Sequence, residues 1–482
     1  MDEIMPETTD FYINGQWVAP QQGTPLEVID PSTEDAFATI SLGGEADTNA
    51  AVAAAKKAFP AWAATPPAER LAVVKKIREI YKSRMGDMAA AISQEMGAPI
   101  DMANQQQVPA GLGHITNFIK AAENFEFVRP LGDHAPNDRI VMDPAGVIAM
   151  ITPWNWPMNQ ITLKVIPALL TGCTMVLKPS EIAPMNALLF AEILDKAGVP
   201  AGVFNLVNGD GPGVGTQLSG HPDIDMVSFT GSTRAGKLIS KNAAETLKRV
   251  HLELGGKGAN IVFADADEKA VRRGAMHCFN NTGQSCNAPT RMLVQREIYD
   301  QSVEAAAAAA EAMQVGPAGT NGRHIGPAVS GTQFEKIQNL IQVGIDEGAR
   351  LVAGGTGRPD GLNRGFFCRP TVFADVNNDM QIAREEIFGP VLSIIPFDTE
   401  EEAVEIANDT PYGLTSYVQS GDDARRSRVA TQLRSGMVEM NGQPRGAGAP
   451  FGGVKASGNG REGGVWGLED FCEVKAVSGW GS

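Results

Sequence analysis

The chain has 482 residues, 43% of them hydrophobic, with 40 Lys plus Arg against 56 Asp plus Glu and a formal net charge of -16. That length exceeds what one core supports and asks for two or three domains, while the acidic balance excludes a nucleic-acid surface, which needs a basic face for phosphates. Five cysteines without a CxxC pair are too sparse to staple such a chain and read as reduced thiols of a cytosolic protein.

In chain order, the start MDEIMPETTD is acidic and lacks the basic, then apolar, pattern of a signal peptide. Residues 11–40 alternate short apolar runs with the turn residues Asn14, Gly15, Asp30 and Pro31, which predicts a hairpin or meander. Apolar residues at three- and four-residue spacing then predict two long amphipathic helices, over 45–59 and 67–96, the second closed by Gly97. The apolar stretch 146–177 is broken by Pro153, Pro157 and Lys164 and does not span a membrane.

From Gly146 the segments GVIAMIT, TMVLKP, GVFNLVNG and MVSFTG read as strands, and 185–197, 214–219 and 234–244 as helices. Strand followed by helix, repeated, predicts a parallel sheet that binds ligands at the carboxyl ends of its strands. The glycine-rich NGDGPGVG at 208–215 reads as a loop leading into a helix. A second series follows, with ANIVFAD, RMLVQ, RLVAGG, VLSIIPF, TSYVQS and GMVEMN as strands and VRRGAMHCFN, the Ala-rich VEAAAAAAEAM and FEKIQNLIQVGIDEG as helices. Residues 122–144 and the tail DFCEVKAVSGW are strand-rich. The six histidines show no HxH or HExxH spacing, so no metal site is expected.

Two segments carry the chemistry. Cys286 in CFNNTGQSCNAPTR is a thiol nucleophile, and Glu253 in HLELGGKGAN is a carboxylate base. Together they predict a thioester that activated water releases. Asn155, between two tryptophans and two prolines, is placed to donate to an oxyanion, with the backbone N–H of Cys286 as second donor. Lys178 offers donors to ribose hydroxyls, and Glu181 repels a 2′-phosphate, which favours NAD with NADP possible. Gly231, Ser232 and Gly236, after a strand and opening a helix, form an anion site.

The blocks PWNWP at 153–157, KPSE at 178–181, FTGST at 229–233, LELGGK at 252–257, FNNTGQSC at 279–286, EEIFGP at 385–390 and PFGGVKASGNGRE at 450–462 resemble, in this order, the NAD(P)-dependent, hydrolytic aldehyde dehydrogenase superfamily. The resemblance covers essentially the whole chain. It implies an α/β fold: a Rossmann-like NAD-binding domain over 1–121 and 145–255, a second α/β catalytic domain over 256–456, and a small β oligomerisation arm over 122–144 and 470–482. It implies Cys286 as nucleophile, Glu253 for deacylation and Asn155 at the oxyanion, with Lys164 and Glu462 passing the deacylation proton to solvent. The implied cofactor contacts are Thr152, Trp154, Lys178, Ser180, Glu181, Gly231, Ser232, Leu254, Glu386 and Phe388. A small-molecule aldehyde as substrate and a homodimer or homotetramer follow as well. The chain departs from the family pattern at Gly258, where Ser is frequent, and at Val454, where an aromatic is common.

Trp156, Met158, Phe279 and Phe451 suggest an apolar or aromatic access tunnel, and Arg445 is either a partner for a substrate carboxylate or a plain surface charge. A coenzyme A acylating enzyme and a non-catalytic binding protein remain as alternatives to the hydrolytic dehydrogenase.

Overall fold

The computed structural model describes residues 8–21 and 23–481. The acidic start MDEIMPE, Gln22 and Ser482 lie outside the described residues, and with them most of the segment read for a signal peptide.

Five strands, Arg249–Glu253, Met226–Thr230, Val147–Ile151, Thr174–Lys178 and Phe204–Leu206, lie side by side in that order and are all parallel. VIAMI, TMVLK and MVSFT are buried at every residue, as strands covered on both faces must be. The chain begins the parallel part of this sheet at Val147–Ile151, winds outward to Phe204–Leu206, then crosses to the other side through Met226–Thr230. A doubly wound sheet leaves a crevice where its winding reverses, at the carboxyl ends of the two diverging strands. Those ends are Ile151 and Thr230.

Leaving the strand Arg249–Glu253, whose outer side pairs with the short strand Gly458–Asn459, the chain enters a second sheet at Ala259–Val262. This sheet has seven strands, of which only Arg350–Ala353 at one edge is antiparallel to its neighbour. A third sheet pairs Cys472–Ser478, Asp138–Pro144 and Val128–Pro130, so the tail of the chain closes on the 122–144 segment. Among the described residues no helix is long and apolar enough to cross a membrane.

Local structure departs from the sequence reading in several places. The 67–96 helix is two helices, Pro67–Ser83 and Met85–Met96, split where Arg84 leaves helical geometry at φ -111 and ψ 10. The preceding helix, Glu45–Ala64, runs on through Pro60, and buried Trp62 holds its last turn. The first hairpin, Phe11–Ile13 with Gln16–Val18, is an antiparallel extension of the large sheet, whereas Thr24–Asp30 and Asp35–Leu42 pair only with each other. The helix Pro157–Thr171 left no periodic signal because it is buried at every position except Asn159, so no polar face alternates with an apolar one.

Leu169 of that helix is fully buried in the larger core. Leu169→Ala is expected to cost about 2–5 kcal/mol through the cavity it leaves and to lower the urea midpoint; an unchanged unfolding curve would contradict this account of the core.

Candidate active site

The loop after Val147–Ile151 and the loop after the helix Ala270–Phe279 clasp each other. The Asn155 carbonyl accepts from Gln107 Nε2 at 3.1 Å and Asn281 Nδ2 at 3.0 Å, and Asn155 Nδ2 donates to the Gln284 carbonyl at 3.1 Å. Trp156 Nε1 donates to Ser285 Oγ at 2.8 Å. The second loop needs this grip because Asn281 and Thr282 are left-handed, at φ 52 and 58. Each such residue costs about 1–3 kcal/mol and persists only where its surroundings over-determine it. Here Thr282 Oγ1 donates to the Gly326 carbonyl at 2.9 Å, and the Gln284 side-chain oxygen accepts from Val329 N–H at 2.9 Å. Cys286 follows two residues on, held from the other side by Gly256, where a Cβ would sit 2.3 Å from the Cys286 carbonyl oxygen.

The crevice between the two large sheets is a cavity of about 210 Å³ with Cys286 in its wall. Pro153, Trp154, Asn155, Thr230, Gly231 and Ser232 reach it from the switch point, and Leu254 and Gly255 from the crossing between sheets. Gln333, Lys336, Glu386 and Phe388 face them. Phe388, also left-handed at φ 57, stands edge-on to Trp154 with centroids 5.4 Å apart. Gln333 Nε2 donates to the Phe388 carbonyl at 2.8 Å, and Lys336 Nζ to the Glu386 carbonyl at 2.7 Å. Glu386 Oε1 accepts from Gly256 N–H at 2.8 Å.

Carboxylates stand close to Cys286. Burial, then the carboxylates of Glu386 and Glu253, push the Cys286 thiol up to about 12 against the opposing pull of Arg445, so at neutral pH it stays protonated until a base takes its proton. Glu253 is 2% exposed, and among the described residues neither of its carboxylate oxygens has a hydrogen-bond partner. Burial raises it to about 7; His251 opposes the rise and Glu462 adds to it. Glu253 ends its strand just outside the cavity lining, with His251 Nε2 at 3.5 Å from Oε1. Lys164 and Glu462 form a buried ion pair at 2.6 Å.

The remaining predicted cofactor residues lie further along the first sheet. Lys178 Nζ donates to Glu181 at 3.1 Å and to the carbonyls of Pro179 at 2.9 Å and Gly209 at 2.5 Å. Ser180 Oγ accepts from Ile182 N–H at 3.3 Å. Ser232 caps the helix Thr233–Ala244 by accepting from Ala235 N–H at 3.2 Å, so that helix's positive end opens at the crevice. A second cavity of about 340 Å³, lined by Ile151, Pro212, Phe229, Leu238 and Ile239 among others, lies beside this helix. One of its walls is the glycine-rich segment, which turns as a helix at Gly211–Gly215. An apolar slot, a paired Lys and Glu, a helix N-terminus and the unpartnered buried hydroxyls of Thr152 and Thr230 suit a dinucleotide in succession.

The sequence reading missed the apolar slot, Thr230, Gln333 and Lys336. The last two left a usable signal, polar residues three apart near the start of the helix Gly331–Asp346, on the same face as Ile337, Leu340 and Ile341, which enter the core one and two turns later. The expected access tunnel also needs correction. Met158 and Phe279 are fully buried in the two cores, Met158 beside Gly111 of the helix Val108–Glu123, while Trp156 and Phe451 are half-buried. Arg445 stacks 4.7 Å above Phe451 and pairs with Glu439 at 2.9 Å.

The pattern of the aldehyde dehydrogenase family matches residues 17–477. The chain is 52% identical over 478 residues to a 3-succinoylsemialdehyde-pyridine dehydrogenase from a Pseudomonas species, covering 99% of each. A crystal structure of an aldehyde dehydrogenase from Bartonella henselae superimposes with a TM-score of 0.98 at 62% identity, covering 99% of this chain and 100% of that one. A cysteine-to-alanine mutant of aldehyde dehydrogenase C from Pseudomonas syringae, complexed with NAD+ and octanal, superimposes with a TM-score of 0.96 at 48% identity, covering 98% and 97%.

The charges around Cys286 predict how it alkylates. Labelling by iodoacetamide in the ligand-free protein should keep rising with pH beyond 9 without a plateau, since the thiol stays below its raised pKa. Glu386→Gln, which removes one neighbouring charge, should speed it. Intact-mass kinetics showing a plateau near neutrality would contradict this.

Proposed function

Because the chain belongs to the aldehyde dehydrogenase family and oxidises an aldehyde to the carboxylic acid with NAD(P)+, we propose that Cys286 is its nucleophile, Asn155 its oxyanion donor and Glu253 its general base. The observation that carries this reading is the convergence of Cys286 and Asn155 in one crevice at the switch point, with a carboxylate raised toward neutrality behind its wall.

The Cys286 sulfur attacks the aldehyde carbon, and its proton passes to a carboxylate, which its high affinity for that proton requires. Asn155 Nδ2 spends one hydrogen on Gln284 and turns the other to the oxyanion, joined by the Cys286 backbone N–H. Glu253, its carboxyl raised toward neutrality by burial, strips a proton from the water that cleaves the thioester. That proton leaves toward solvent by Lys164 and Glu462. A base in this place makes water the acyl acceptor rather than coenzyme A.

NAD fits the two cavities. The apolar slot would hold its base, Lys178, Ser180 and Glu181 the neighbouring ribose, Gly231 and Ser232 the pyrophosphate, and Thr152, Trp154, Leu254, Glu386 and Phe388 the nicotinamide end. Bound there, it supplies the two-electron acceptor for the substrate carbon. The NAD+ and octanal of the Pseudomonas syringae relative support this assignment.

For the substrate we favour an uncharged aromatic or aliphatic aldehyde. Trp156 and Phe451 offer apolar contact, and Glu439 already meets the charge of Arg445. The pyridine-bearing and octanal relatives agree with that class. The three-stranded sheet, with Val128, Leu131 and Val474 exposed, serves as an arm that joins chains into a dimer or tetramer. The three domains divide at 121, 144, 255 and 456, and the five free cysteines suit the reducing cytosol.

Cys286→Ala is expected to abolish oxidation, and Glu253→Gln to give one burst of NADH without steady turnover, as stopped-flow absorbance reads directly. Normal turnover in either variant overturns the assignment. Asn155→Ala should lower kcat about 10²–10³-fold, the usual loss for one oxyanion donor; a loss confined to KM would remove Asn155 from that role.

A further inference from the structure

Behind Glu253 lies a charged group the reaction leaves unused. Arg249, His251 and Glu253 alternate along one strand, so their side chains share a face. His251 is 3% exposed, and its two ring nitrogens look in opposite directions: Nε2 to Glu253 Oε1 at 3.5 Å, and Nδ1 into a hydrogen bond with Asp470 Oδ2. Arg249 fixes Asp470 by donating to its carbonyl at 2.6 Å and to the carbonyl of Cys472 at 2.8 Å. Gly460, at φ 83, leaves the ring its room, since a Cβ there would lie 2.6 Å from Nδ1.

We propose that Asp470 and His251 form a dyad that sets the charge and aim of Glu253. Asp470 keeps the imidazole protonated, and the imidazolium holds the Glu253 carboxylate anionic and pointed. The inference rests on Glu253 being the general base. Both dyad members are positioning residues, since neither touches the reacting atoms.

The surrounding charges agree. Burial works against a charged His251, but the hydrogen bond with Asp470 and the nearby Glu253, Asp470 and Glu462 carboxylates outweigh it and hold it at about 10. Glu462 is itself paired with Lys164, and Arg249 also pairs with Glu473. Arg461 turns its guanidinium to the carbonyls of Gly453 and Gly460. His251 is therefore the cation nearest the base, and it lowers Glu253 where burial and Glu462 raise it. Removing that cation must raise Glu253, so the base then requires a higher pH to ionise.

The test is the pH dependence of the steady-state rate after the burst, in the full-length enzyme. His251→Gln should move the acid limb of kcat up by about one pH unit, the scale of one neighbouring charge, with the burst amplitude kept. Asp470→Asn should move it the same way by less, and His251→Lys should bring it back. Asp470 is partly exposed, so its variant reports even if His251→Gln does not fold. A purely structural role predicts a uniform fall in kcat with the limb in place, and that result overturns the dyad. Glu253→Gln in the same series separates the two ideas. If it loses turnover while the limb of His251→Gln stays put, only the dyad fails; if it turns over normally, the base assignment fails first.

Discussion

The clasp between the Asn155 and Asn281 loops is the contact on which the site depends. Each loop alone is unfavourable: one ends a buried strand with its polar groups exposed to the crevice, and the other holds two side-chain-bearing residues in left-handed geometry. Exchanging amide hydrogen bonds satisfies both and fixes Cys286 relative to Asn155. Because the loops belong to different sheets, the same contact joins the two large cores. Gly256, Gln284 and Gln107 extend it into a continuous, water-poor seam.

That seam explains the electrostatics. A crevice that buries these groups disfavours every charge within it, so the thiol and both nearby carboxylates hold their protons more firmly than in water. Cations are supplied at one remove: Lys336 at the Glu386 backbone, Lys164 at Glu462, and His251 at Glu253. Glu253 is thus kept near neutrality by opposing effects rather than by exposure, which suits the proposed role of taking a proton and giving it up.

Position in the fold ties these pieces to the chain's end. Asp470 lies just before the strand Cys472–Ser478, whose pairing with Asp138–Pro144 builds the small third sheet. The segment that seats this sheet therefore also touches His251, behind the proposed general base. Arg249 binds both at once, through the carbonyls of Asp470 and Cys472.

The sequence by itself determined the strands and their parallel winding, because buried parallel strands are short apolar runs with sharp ends, as in VIAMI and MVSFT. It also singled out Cys286, Glu253 and Asn155, whose glycine, proline and tryptophan neighbours mark them in one dimension. What periodicity could not show was the helix Pro157–Thr171, buried on nearly every face, or the break at Arg84, where the pattern continues across two helices. The tertiary structure alone decided which apolar side chains line the crevice and which fill a core, as Met158 and Phe279 show, and which distant charges meet. His251 and Asp470 are 219 positions apart; their meeting is set by the packing of the strand Arg249–Glu253 against the segment that leads into the third sheet, and no local pattern encodes a contact across that distance.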